Sequence, residues 1–296
     1  MTDPAATHGL WADLHRPEIS PADADFSVIG IPYDGAACAR KGAALGPERI
    51  RFWSTHLTPF SEDRTRLGDI RICDLGDIPI THQESDFDEV RQKVATLSNM
   101  PILLGGDHSV TIPIFQGQLE RYAGKRFGVL WVDAHPDLCD VFTGSNLSHA
   151  CVLRRGLEFG IQPEDVCLVG LRSWEYEEID LIENGGLNVF TAADVAERGM
   201  KAVAQEVNKI LSRCDVVHIS LDIDCLDPAF APGTGIPDSG GLTSREVITL
   251  IKSMHGLPLV GLDVVEVAPS IDPSEATIFA ALKIIMEYIA VVVREK

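Results

Sequence analysis

A chain of 296 residues has room for one large α/β domain or two small ones. Its formal net charge of −19 argues against nucleic acid or an anionic membrane as a partner and suits a small cationic one, although an acidic surface also serves solubility. Seven cysteines without a CxxC spacing, most of them in apolar runs, fit reduced, buried thiols in a cytoplasmic protein better than a disulfide framework.

The first residues show no basic segment followed by an apolar core, so no signal peptide is expected. Residues 1–24 read as an N-terminal extension and 25–296 as a single domain. A strand is predicted over 26–31, a helix over 47–54, strands over 70–74 and 101–104 with a helix over 86–99 between them, then a helix over 112–122 and a strand over 127–132. A helix over 149–159, strands over 166–171 and 187–189, a helix over 200–212 and a strand over 216–221 follow. The chain closes with a helix over 244–255, a strand over 259–265 and a helix over 273–294. Ser85 stands where a cap for the 86–99 helix belongs, and Thr243 with Glu246 fits a capping box. The last apolar stretch carries Lys283, Glu287 and Tyr288, which suits a buried helix rather than a membrane span. Continuous Val/Ile/Leu runs imply strands buried on both faces, and their alternation with helices implies a mainly parallel sheet flanked by helices.

Three segments end such strands in metal-ligand residue types: His108 in LGGDHS, Asp133, His135 and Asp137 in WVDAHPD, and Asp222 and Asp224 in SLDID. The i, i+2 spacing in extended backbone points each group to one side. Ligands of open α/β sheets bind beyond the carboxyl ends of the strands. Four carboxylates are too costly to bury without cations. The set exceeds what one ion needs and suits two divalent ions. Hard oxygens and imidazoles without thiolate favour Mn²⁺, with Ni²⁺, Co²⁺ or Fe²⁺ also fitting. Two ions roughly 3.5 Å apart would activate a bridging water for hydrolysis. Cys139 and Cys225 lie nearby and read as packing residues.

GGDHS, DAHPD and SLDIDCLDPAFAPGTG, with GIPYD and GPER nearer the N-terminus, resemble the signatures of the ureohydrolases, the arginase/agmatinase family, in the same order and over about residues 25–290. The resemblance implies a three-layer αβα fold around an eight-stranded parallel sheet and a dinuclear Mn²⁺ centre. It also implies hydrolysis of a guanidino compound to urea and an amine, in a homotrimer or homohexamer. It implies that His108, Asp133, Asp137 and Asp224 ligate one ion or the other, and that His135, Asp133, Asp222 and Asp224 complete the second. Asp137 would orient the attacking group, His149 would shuttle a proton to the leaving amine, and Glu266 would pair with the substrate guanidinium. Asp263 reads as a supporting or structural group.

The loop after Asp137 (LCDVFTGSNLS) does not match the arginase pattern for an α-amino acid, so agmatine is the expected substrate. Guanidinobutyrate, another guanidino acid and an alkylated guanidine or biguanide are the alternatives, and a non-catalytic subunit of a hetero-oligomer is a third reading. Asp140 and Glu175 are candidate holders of a substrate's far end, and Trp174 could stack on a guanidinium.

Overall fold

The computed structural model describes residues 8–293. Eight strands form one parallel sheet: β1 (Phe26–Ile31), β2 (Ile72–Asp77), β3 (Met100–Gly105), β4 (Phe127–Val132), β5 (Val166–Leu171), β6 (Asn188–Thr191), β7 (Val216–Asp222) and β8 (Leu259–Val265). Their order is β2-β1-β3-β8-β7-β4-β5-β6, with every pairing parallel.

The alternating side-chain direction of a strand sorts the core into two layers. Phe26, Val28, Ile102, Leu104, Leu130 and Val132 pack in one cluster with the helices Met200–Leu211, Ser244–Ser253 and Ala276–Val293. Their neighbours of opposite parity, including Ile29, Ile31, Leu103, Val129 and Trp131, pack on the other face, where Gln83–Ala95 lies against Thr111–Arg121. The sheet is therefore covered by helices on both faces, as continuous apolar strands require.

Ala276–Val293 is long and apolar enough to cross a bilayer by composition. Here it is a core helix: Ile278, Leu282, Ile285 and Tyr288 are fully buried. Its Glu287 is buried too, accepting from Lys283 Nζ and the Glu62 backbone N–H. Arg294, placed in this helix from the sequence, lies outside the described residues.

Three local expectations need correction. The helix predicted at 86–99 spans Gln83–Ala95, and Ser85 does not cap it. Instead Asp86, inside the first turn, reaches back to the backbone N–H groups of Thr81 and His82. That is a carboxylate at a helix N-terminus, where the exposed donors and the dipole favour it. Two short helices, Ile179–Asn184 and Ala192–Arg198, were not predicted. The second is marked by a capping box of Thr191 and Asp194, but both are too short to show a helical period. The Thr243–Glu246 capping box is present.

Residues 8–24 are stitched to the sheet. Trp11 is fully buried, its backbone N–H donates to Ser54 Oγ and its indole N–H to Asp74, 2.8 Å away. Trp11, Ala12 and Asp13 all take positive φ, a costly left-handed turn for residues with a Cβ that tertiary contacts hold. Replacing Trp11 with Ala should destabilise the fold by about 3–5 kcal/mol, read as a lower denaturant midpoint at unchanged m-value.

Candidate dinuclear metal centre

The carboxyl ends of four contiguous strands, β3, β8, β7 and β4, carry the chemistry. His108 follows β3 in a short 3-10 turn, Asp133 follows β4 directly, Asp222 closes β7 and Glu266 follows β8. Close approach makes the turn after β3 possible: a Cβ on Gly106 would lie 1.7 Å from the Tyr33 carbonyl oxygen. Asp107, which drew no notice as sequence, ties this turn down by accepting from the N–H groups of Ala36 and Ser109.

The six candidate ligands converge around Asp133. Its Oδ2 lies 3.0 Å from His108 Nδ1 and its Oδ1 is 3.5 Å from His135 Nδ1. His108 Nδ1 also lies 3.2 Å from Asp137 Oδ2 and 3.2 Å from Asp222 Oδ2. His135 Nδ1 is 3.1 Å from Asp224 Oδ2. Two donor groups thus share Asp133: His108 with Asp137 and Asp222, and His135 with Asp224. In this arrangement Asp222 faces His108 and Asp224 faces His135.

The donor set fits cations. His108 Nδ1 and Asp133 Oδ2 are buried and make no hydrogen bond, although they face each other. Buried polar atoms are almost always satisfied, so a pair of lone-pair donors aimed at one point calls for a cation. Burial, then repulsion from Asp133, pushes Asp137 well above the usual carboxylate range. Burial and Asp224 do the same to Asp222, and burial and Asp133 raise Asp224. His108 is raised as well, against its burial, by Asp133 and Asp222. Asp133 is instead held low, against its burial, by His108 and His135, and acids that crowd one another in this way are a set that divalent ions would satisfy.

A buried relay fixes the tautomer of His108. Ser220 Oγ donates to Asp263 Oδ1 at 2.8 Å, so at 3.0 Å it accepts from His108 Nε2–H. In the neutral ring that a cation would require, the Nδ1 lone pair is then the one facing the acids. Asp263 also accepts from Thr111 Oγ1 and contacts His218 Nε2 at 2.7 Å. All five side chains are buried. Trp131 stacks on the His108 ring at 4.2 Å and donates its indole N–H to the His135 carbonyl. Arg172 Nη2 donates to the Asp224 carbonyl at 2.7 Å and so braces that turn.

His149 and Glu266 meet above the acids, His149 Nδ1 lying 3.6 Å from Glu266 Oε1. That oxygen also accepts the His108 backbone N–H at 2.9 Å. Asp137 and Glu266 both have positive φ, 51° and 61°. Such strain in residues with a Cβ persists only where surroundings enforce it, and it concentrates at functional sites. His149 Nε2 is buried without a hydrogen-bond partner.

These groups form the floor of a cavity of about 210 Å³. Trp174 and Glu175 line its wall, as do Cys38, Arg40, Phe142 and Ile236 from three other loops. Asp140 does not line it. Its carboxylate is paired with Arg155 at 2.8 Å. Glu178, unnoticed in the sequence, accepts the backbone N–H of Leu138 and of Glu175, binding the two wall loops to each other. Its only sequence signal was an acid in a run of acids.

The arginase family profile matches residues 24–290. The chain belongs to the arginase family. It is 35% identical over 282 residues to an agmatinase of Chromobacterium violaceum, covering 92% of this chain and 85% of that one. It is 34% identical to a guanidinopropionase of Pseudomonas aeruginosa, over 90% of this chain and 86% of that one. Among solved structures, the proclavaminate amidino hydrolase of Streptomyces clavuligerus superposes with a TM-score of 0.89 at 31% identity, covering 98% and 99% of the two chains. The agmatine ureohydrolase of Thermoplasma volcanium superposes with a TM-score of 0.85 at 29% identity, covering 96% and 94%. As an arginase-family protein, the chain is a hydrolase of amidino C–N bonds in a family that depends on a binuclear metal centre, and its buried His/Asp cluster could hold metal.

Two outcomes follow. Asp263→Asn should weaken the hold of His108 on metal by about 10–100-fold, read as metal affinity by chelator competition, while the fold keeps its circular dichroism. In metal-free protein His149 is raised from 6.5 to about 10, burial opposing the rise and Glu266 driving it. The folded value is the higher one, so its stabilising contribution is complete below the unfolded value and is lost as pH rises through about 10. The ring-proton resonance of His149 should therefore report imidazolium at neutral pH, and Glu266→Gln should return its midpoint toward the ordinary range.

Proposed function

We propose that this arginase-family hydrolase releases urea from a small guanidino compound at a dinuclear centre, with Mn²⁺ the first metal to test. The observation that carries this reading is the pair of donor groups sharing Asp133, with Glu266 and His149 set above them. Ligation would fall to His108, Asp133, Asp137 and Asp222 on one side and to His135, Asp133 and Asp224 on the other. Bound there, two divalent ions supply Lewis acidity and an ionised water at neutral pH.

The rest is the work of the chain. Glu266 spends Oε1 on the His108 backbone and His149, leaving Oε2 to accept N–H bonds from the guanidinium. That contact places the guanidinium carbon above the acids. Asp137, buried and held by its strained backbone, accepts a hydrogen bond from the attacking group and aims it at that carbon. Attack neutralises the guanidinium and makes one nitrogen a leaving group that needs a proton. His149, facing Glu266 through Nδ1 and with Nε2 unpaired, donates it from Nε2 as the C–N bond breaks, and the added hydroxyl gives up its own proton to Asp137. Urea and an amine are the products.

The sequence-based expectation of agmatine asked for an acid to hold the distal ammonium. Of the acids considered for that role, Glu175 lines the wall and Asp140 does not. Protein loaded with Mn²⁺ should release urea from at least one member of a guanidine panel that includes agmatine, 3-guanidinopropionate and alkylguanidines. With two metals bound per chain, silence across the panel overturns the reading. Asp137→Asn should lower metal content and cut kcat by at least about 10²-fold, and full activity in that variant would remove Asp137 from the machinery.

A further inference from the structure

The catalytic floor is rich in acids, but the wall above it offers almost no charge to a second ligand group. Three charged side chains line that wall among the described residues: Arg40, Glu175 and Glu178. Arg40 donates from Nε to the Gly235 carbonyl and from Nη2 to the Thr234 carbonyl, so it holds the loop after β7 in place. Glu178 is buried, and each carboxylate oxygen takes a backbone N–H. Glu175 is exposed to solvent, where an ion pair contributes about 0–1 kcal/mol. Asp140, in the loop after β4, is engaged by Arg155.

What the wall does present is apolar: Ala37, Ala39, Phe142, Trp174 and Ile236. They come from loops after β1, β4, β5 and β7, so the apolar surface encircles the space above the guanidinium position. Trp174 is 42% exposed, uncommon for a Trp and understandable for one that forms the rim of a cavity. At about 210 Å³ the space is smaller than the roughly 300–1,000 Å³ of sites for drug-sized ligands.

We infer that the substrate is a guanidine bearing one short, uncharged, apolar substituent, which lies against Trp174, Phe142 and Ile236 while the guanidinium sits over the metal floor. This rests on the urea-releasing reading of the site. A distal ammonium would find only the solvent-exposed Glu175, where pairing is worth little. A distal carboxylate would find only Arg40, whose Nε and Nη2 are already spent on backbone carbonyls, and would also meet the field of the floor acids. A hydrocarbon tail gains from the same burial. The reaction class that consumes the product is then one that takes a simple alkylamine rather than a diamine or an amino acid.

The test uses three guanidines of matched length: pentylguanidine, agmatine and 4-guanidinobutyrate. Metal-loaded protein is assayed for urea release, and binding of each compound is measured by calorimetry. Pentylguanidine should exceed both charged compounds in kcat/KM and in affinity by at least about tenfold, the worth of burying two methylenes. Trp174→Ala should shrink that preference by about the same factor. Equal or better performance by agmatine or by 4-guanidinobutyrate overturns the inference, as does failure of pentylguanidine to bind. If none of the three yields urea while pentylguanidine still binds tightest, the wall keeps its assignment and the urea-releasing reading fails instead.

Discussion

Four buried aspartates packed around two imidazoles form the constraint from which the rest of the structure follows. Desolvation and mutual repulsion would drive protons onto such acids, and Asp137, Asp222 and Asp224 are all displaced in that direction. A fold can keep this arrangement only by bringing in positive charge, and the unsatisfied lone pairs of His108 Nδ1 and Asp133 Oδ2 mark where it is wanted. The buried relay through Ser220 and Asp263 serves the same end. A neutral imidazole ligates through one nitrogen when the other is held as a donor, and Ser220 holds Nε2 of His108 in that role.

The parallel sheet supplies what this concentration of charge needs. Parallel strands deliver their carboxyl ends to one edge, so four of them contribute side chains to one place without crossing the core. The strands are also buried on both faces, which keeps the site rigid and dry from beneath. Above it the chain relies on loops, and these are tethered to each other: Asp107 to the loop after β1, Glu178 to two wall segments, Arg172 to the turn of Asp224. Positive φ at Asp137 and Glu266 is the local cost of aiming those carboxylates, offset by this network.

Much was legible in the chain itself. The six inner strands stood out because both-face burial writes an uninterrupted apolar run, whereas the edge strands β2 and β6 carry polar residues and were placed with shifted bounds. The three ligand segments were readable because i, i+2 spacing at a strand end points donors one way, and because carboxylates cluster there for few other reasons. The Ile179–Asn184 and Ala192–Arg198 helices were not readable, since two turns show no period. The pairing of Asp140 with Arg155, fifteen positions away, was not readable either, since no local pattern announces it.

The sequence by itself determined the fold class, the donor types and the family to which the chain belongs, because each is written in short-range pattern: apolar runs, spacing and motif. Only the tertiary structure decided which donors stand beside which. Chain order runs β3, β4, β7, β8, but the sheet places them β3-β8-β7-β4, and that order sets Asp222 toward His108 and Asp224 toward His135. It also decided which acids are free. Whether a carboxylate is spent on a backbone N–H, paired with an arginine or left facing a cavity depends on neighbours distant in the chain, and those neighbours exist only once the sheet has formed.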